Sequence, residues 1–316
     1  MTQRYTVELR RLERDSHDNC SLCGRPFKPA EAAHSGYAAD GRPLYVGSCC
    51  EANIAETAAR YHWEPRAYEV PPPSALLWRY MDFAKFVSLL RDGALFFSRA
   101  DLLGDRYEGA KGLLANKSKW DQYYLKWFRE ALRNPPPGAD FGLSPEELEK
   151  RAQKFIVDLE ALGKDGLRTT FVSCWHESEG ESEALWRLYC PPSSAGVAIR
   201  TTFTALNLSL GDDPDTKIGR VRYIDFRKSF AGPNDAIFRK RQSLSHEREA
   251  RAVIHRIEAR DEPGIRVPAD LKQLMQALVI SPFAPVWFQD VLNETMSRFN
   301  VVAPTMTSDL TSEPFY

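Results

Sequence analysis

The chain has 316 residues, 43% hydrophobic and 27% charged, and a formal net charge of -1. These values exclude wholesale disorder and give none of the strong basic excess of a dedicated duplex-DNA binder. No apolar run approaches the roughly 18–20 residues that span a bilayer, and Met1–Tyr5 leads into charge and not into an apolar segment, so a cytoplasmic protein without membrane contact is expected.

In a reducing compartment six cysteines are metal ligands or core residues before they are a disulfide framework. Cys20-Ser21-Leu22-Cys23-Gly24 has the spacing of a zinc knuckle, in which a tight turn presents two thiolates to one ion. Cys49-Cys50 stands where a helix over 51–59 begins, and helix N-terminal amides favour thiolates, so a treble-clef-like site is expected. Because Cys49 and Cys50 are adjacent, either both bind or one binds with His34 (or His17) as the fourth ligand; two metal-free buried cysteine pairs are the alternative. Pro71-Pro72-Pro73 is a stiff spacer, so residues 1–70 are expected as a separable zinc module and 71–74 as its linker.

Beyond the spacer, Leu76–Tyr80 predicts a short strand. Asp82 caps a helix with Phe83, Phe86, Val87 and Leu90 on one face, and Gly93 ends it. Ala94–Ser98 predicts a buried strand. Two helices follow within about 112–166, the second opened by the capping box Ser144-Pro145-Glu146-Glu147, and they form an insertion without evident chemistry. Strands are predicted at 170–175, 196–200, 221–224 and 250–254, with a short helix over Glu183–Tyr189 and a last one over Val286–Phe299 that buries Phe288, Val291, Leu292 and Phe299. The order lacks strict βαβ alternation, so the fold class is α+β, with a main domain over 75–304 and a flexible tail over 305–316. The run Arg239-Lys240-Arg241 is the best local basic patch, and such runs are commonly a solvated face. Cys174 beside His176 suggests a Cys/His nucleophile, although strand alternation would bury Cys174 in the core beside Val172.

Several ordered blocks carry a resemblance. They are Leu77-Trp78-Arg79-Tyr80 leading to Leu95-Phe96-Phe97-Ser98-Arg99 and Asp105-Arg106-Tyr107-Glu108-Gly109; Ser173-Cys174-Trp175 followed by Ala184–Tyr189 and Gly196–Ile199; and Glu247-Arg248-Glu249-Ala250-Arg251. Together, over about residues 75–295, they resemble a bacterial family known only as domain of unknown function 2971, which usually has an aromatic where Ala250 stands. More distantly the layout resembles the mixed and antiparallel sheets of the ADP-ribosyltransferase fold. That likeness implies NAD as substrate, with Arg79 or Tyr80 and Ser98 facing it, Asp105 and Glu108 lining its site, and Glu249 with Glu247 as catalytic acids. It implies transfer of ADP-ribose to a protein or nucleic-acid acceptor, in bacterial conflict or phage defence. A carboxylate beside the ribose would stabilise the oxocarbenium-like charge or take a proton from the incoming nucleophile. The residues alone also allow a solvated strand edge at 247–251, and a non-catalytic module recognising a protein or nucleic acid. A nuclease has the least support, for want of a metal-binding carboxylate cluster.

Overall fold

The computed structural model describes residues 9–11, 19–20, 23, 25–27, 32–37, 43–47, 49–50, 68–134, 141–190, 195–211, 215–232 and 235–316. The expected helix over 51–59, the alternative ligand His17 and the prolines at 135–137 lie outside the described residues. Near the N-terminus β1 (Leu9–Arg11), β2 (Ala32–Tyr37) and β3 (Pro43–Gly47) form an antiparallel sheet in that order. Then come β4 (Leu76–Asp82), α1 (Phe83–Asp92), β5 (Ala94–Arg99), the hairpin α2 (Lys117–Arg133) and α3 (Pro145–Thr169), and β6 (Thr170–Glu177). The chain continues through α4 (Glu183–Tyr189), β7 (Gly196–Thr202), α5 (Phe203–Ser209), β8 (Lys217–Arg220), β9 (Arg222–Ile224) and β10 (Arg239–Arg241). It ends with β11 (Glu249–His255), β12 (Gly264–Pro268), α6 (Leu271–Leu274), β13 (Ala277–Ile280), α7 (Phe288–Arg298) and β14 (Thr305–Thr307). The class is α+β, with a mostly antiparallel main sheet. Among the described residues no helix is long and apolar enough to cross a membrane.

The main sheet runs β12-β5-β6-β4-β7-β13-β14, with β11 against β6 and β8 against β11. Strand alternation sends Leu77 and Met81 of β4 into the larger core while Trp78 and Tyr80 enter a second one with Trp186. The same rule puts Ala250, Ala252 and Ile254 of β11 in the larger core, and leaves Glu249 and Arg251 together on the other face. The local signals at α1 behave as read: Asp82 accepts from Lys85 N at 2.9 Å, and Gly93 closes the helix at φ 58°. Ser144 and Glu147 form the expected reciprocal cap of α3.

β6 organises the sheet. One edge pairs with β11 from Thr170 to His176. The opposite edge is shared, its start taken by β5 at Phe171 and Val172 and its end by β4 at His176 and Glu177. Between these pairings β4 and β5 splay apart, and the sheet opens there.

The prolines are no free linker: Thr204 N and Oγ1 both bond Pro73 O, at 3.1 and 2.9 Å, and Tyr68 and Val70 join the main core. Tyr68 stacks on Phe238 at 4.3 Å over Gly219, where a Cβ would fall 2.2 Å from the Tyr68 ring. The expected flexible tail contributes β14, which pairs in parallel with β13. Glu181 then holds the next turn, accepting from Ser308 Oγ at 2.6 Å and Asp309 N at 2.7 Å. The last helix starts at Phe288, leaving Val286 96% and Val291 37% exposed.

Because residues 68–70 belong to the main core, limited proteolysis should spare 71–74. Tyr68→Ala should lower stability by about 3 kcal/mol in urea denaturation. Early cleavage within 71–74 would instead restore the free linker.

Candidate functional site

Where β4 and β5 separate, a cavity of about 810 Å³ opens, a volume typical of small-molecule sites. Arg79, Tyr80, Ser98, Asp105, Glu108, Glu247 and Glu249 all line it. They are about 170 residues apart at the extremes, and the split sheet brings them together.

Arg79 spans the opening. Its Nη1 donates to Ser173 Oγ on β6 at 2.5 Å, its Nη2 to Phe96 O on β5 at 2.9 Å, and the guanidinium stands 5.6 Å from the Trp175 ring. Burial pushes Arg79 down from its ordinary value. Among the described residues it is the one lining cation without a carboxylate partner: Lys85 pairs with Asp82, Lys240 with Glu247, Arg241 with Asp105, Arg251 with Glu108 and Arg266 with Asp92. Tyr80 spends its hydroxyl on α4, accepting from Ser182 N at 2.9 Å, and its ring meets Trp186 edge-on at 4.8 Å. Ser98 sits on β5 opposite Val172.

The acids form one network. Arg251, 1% exposed, reaches Glu108 with both terminal nitrogens, Nη2 at 2.8 Å, and donates from Nε to Glu249 Oε1 at 2.9 Å. Lys240 donates to Glu249 Oε2 at 3.0 Å and also to Glu247 Oε2. Burial by itself would raise the Glu249 carboxyl, but the Arg251 and Lys240 charges outweigh it and hold the group at about 2. Asp105 receives Arg241 through Oδ1 at 2.8 Å, while Asp105 Oδ2 and Arg241 Nε are buried without a hydrogen bond.

Glu247 and Glu249 do share a site, though not as strand neighbours. Glu247 ends a 3-10 turn over Gln242–Glu247, Arg248 turns the chain at φ 39°, and β11 starts at Glu249. The pair sharing a strand face is Glu249 and Arg251, and Lys240 joins the two glutamates. The run 239–241 is therefore not a solvated patch. Lys240 is buried, and both arginines pair with acids.

Sequence reading missed Lys240, Arg251 and Tyr189 as cavity residues; Cys174, expected in the core, packs against it. Cys174 is half-buried and lines the cavity. Burial, then the nearby Glu249 charge, push its thiol well up, so it stays protonated and is a poor nucleophile. His176, two residues on along the same face of β6, also lines the cavity. Its Nδ1 lies 2.6 Å from Glu247 O, an acceptor only, so Nδ1 carries the proton and Nε2 can accept one. Burial pushes its pKa down and keeps it neutral near pH 7.

No protein-family model matches the chain, and no curated protein matches it.

In the N-terminal segment the sulfurs of Cys20, Cys23, Cys49 and Cys50 all lie within 4.8 Å of one another. Cys23 and Cys49 are 3.6 Å apart, and four sulfurs about 2.3 Å from one tetrahedral ion would stand about 3.8 Å from each other. Both adjacent cysteines thus belong to the cluster. His34 lies on β2 opposite Val46. The donor set suits a soft divalent metal.

Glu249 bonds two buried cations, so Glu249→Gln should cost about 2 kcal/mol in denaturant unfolding, because Lys240 and Arg251 each lose a charged hydrogen-bond acceptor while keeping Glu247 and Glu108. Its folded pKa lies below the ordinary carboxylate value, so its contribution is complete above about pH 5 and is lost as pH falls towards 2. Acid unfolding of Glu249→Gln should lose that dependence; an unchanged profile would deny the carboxylate this role.

Proposed function

We propose that the cavity binds NAD and that the protein is an ADP-ribosyltransferase-like enzyme acting on a macromolecule, in bacterial conflict or phage defence. The observation that carries this reading is Arg79, a cavity cation with only neutral partners, beside aromatic walls and two unfilled polar atoms. An anionic diphosphate suits the guanidinium. A ribose hydroxyl can donate to Asp105 Oδ2 or accept from Arg241 Nε, and the rings of Phe96 and Tyr189 suit a base or nicotinamide.

Transfer breaks the bond between ribose C1 and the nicotinamide nitrogen, which leaves with the electron pair as neutral nicotinamide. The acceptor's nucleophile bonds to C1 and gives up its proton. Glu249 is held near pKa 2 with both oxygens bonded, so it is a weak base that orients Lys240. Glu247 has one oxygen bonded to Lys240 and is the carboxylate positioned to stabilise the ribosyl cation. His176 Nε2 can take the acceptor's proton. The fully engaged Glu249 also favours a second reading, a module of the same shape that binds its ligand without turnover.

Calorimetry with NAD should show binding that Arg79→Gln weakens at least about tenfold, or 1.4 kcal/mol. Glu247→Gln should cut NAD consumption with cell extract about a hundredfold while binding persists. No binding at millimolar NAD would sink the reading; binding without consumption by the unaltered protein would select the non-catalytic module.

We also propose that the four cysteines hold one structural zinc, stapling a segment too small for a core of its own. Metal analysis should give about one zinc per chain, lost in a Cys20→Ser/Cys23→Ser variant. Undiminished zinc in that variant would refute the assignment.

A further inference from the structure

The helical hairpin, for which the sequence suggested no chemistry, has a surface of its own. Beside the main cavity, on the far side of Glu108, lies a second one of about 400 Å³, bounded by Arg106, Lys111, Trp120, Lys164 and Phe230. Its space depends on glycines. A Cβ at Gly163 would fall 2.7 Å from Lys111 Nζ, and one at Gly112 would fall 2.7 Å from the Phe230 ring. Lys111 Nζ donates to Leu159 O at 2.8 Å and stands 5.1 Å from the Trp120 ring. Arg106, Lys111 and Lys164 form no ion pair among the described residues.

From Trp120 the rings continue along α2. Trp120 meets Tyr124 at 4.4 Å, Tyr123 meets Tyr124 at 5.2 Å, and Trp127 meets Phe128 at 5.2 Å. Tyr123 is 66% and Trp127 54% exposed. They share a helix face with Lys119 and Lys126, at positions i, i+4, i+7 and i+8. Two large rings side by side in water are unusual for a surface without a partner. The helix carries five cations (Lys117, Lys119, Lys126, Arg129, Arg133) against two acids (Asp121, Glu130). Lys117 pairs with Asp121 and Glu160, and Arg129 with Glu149. Among the described residues Lys119, Lys126 and Arg133 form no ion pair.

We infer that this face of α2, together with the cavity at its start, binds single-stranded nucleic acid, with bases stacked on Tyr123 and Trp127 and phosphates met by the unpaired lysines. Rings interleaved with cations are what a single strand requires, since every base has a stacking face and every linkage a charge. Tyr123 and Trp127 are about 6 Å apart along the axis, room for one or two bases at about 3.4 Å. A protein partner fits less well, because lysine is depleted from the cores of protein interfaces. A near-neutral chain argues against duplex binding through charge alone, but not against a local stacking platform. That this strand is also the acceptor of ADP-ribose rests on the NAD reading; the binding itself does not.

Fluorescence polarisation of the full chain, without NAD, should show binding of labelled 12-nucleotide oligo-dT or oligo-U. Trp127→Ala should weaken it about tenfold or more, and Trp127→Phe should restore most of the loss. Lys119→Ala and Lys126→Ala should each lower the salt slope by about 0.7. All these side chains are exposed, so the variants should fold. No oligonucleotide binding, a Trp127→Ala effect below about twofold, or a preference for a labelled polyglutamate peptide would overturn the proposal. NAD calorimetry on Trp127→Ala separates the two sites. Unchanged NAD affinity is expected, and a parallel loss would overturn the assignment of this face as a distinct site.

Discussion

A guanidinium sealed from water must be neutralised where it sits, and Arg251 sets that condition for the middle of this protein. It lies on β11, the strand that covers the whole of one edge of β6. Its charge is met by Glu249 two residues earlier and by Glu108 on a loop 143 residues away. Burying such an ion costs several kcal/mol unless its partners are fixed, so the Glu108 loop and the start of β11 are tied to one another. Lys240 extends the arrangement to β10 and to Glu247. Elements distant in sequence are thereby locked into one register by charge, beneath a cavity that apolar packing alone would have closed.

The split between β4 and β5 is the second consequence of that middle. A continuous edge on β6 would have consumed the backbone of Ser173 to Trp175 in a ladder. Instead Arg79 reaches across three strands and bonds both Ser173 and Phe96. One side chain therefore both bridges the opening and charges it. The Glu247–Lys240–Glu249–Arg251–Glu108 chain carries three acids and two cations, a formal charge of -1, and Asp105 with Arg241 adds none. Arg79 supplies the opposite sign elsewhere in the same cavity.

The parts of this arrangement that were legible in the sequence are those with local causes. Asp82, Gly93 and the Ser144–Glu147 box act within one turn, and their geometry follows from hydrogen bonds that the sequence spells out. The alternation of Ala250, Ala252 and Ile254 likewise marked β11. Long-range pairing left no such trace. Lys240 sits in a basic run that looks like a wet surface, and only partners brought in by folding make it buried. β14 is three residues paired in parallel with β13, a contact no short pattern announces. Cys174 packs against the larger core beside Val172, as alternation requires, and what alternation does not announce is the cavity that the split sheet opens over the same two residues. Tyr68 follows a segment that composition marked as a module and precedes prolines that looked like a linker, yet its ring is held by Gly219 and Phe238 from the far half of the chain.

The separation of charge within the cavity bears on which carboxylate would do chemistry. Glu249 was the natural choice from sequence, opening a half-buried strand with its backbone held by Tyr223 Oη at 2.8 Å. Its rigidity, however, comes from two cations that occupy both oxygens, and those cations make it a poor proton acceptor. Glu247, one turn of chain earlier, escapes the ladder because Arg248 adopts a left-handed conformation. It keeps an oxygen for a ligand, and its own carbonyl fixes the tautomer of His176. A ligand with a cationic ring and an anionic diphosphate would find an acid with an open oxygen and an arginine without an acid in the same space. The buried ion network thus assigns Glu249 to the scaffold and leaves Glu247 with an oxygen outside it, in the same cavity as Arg79.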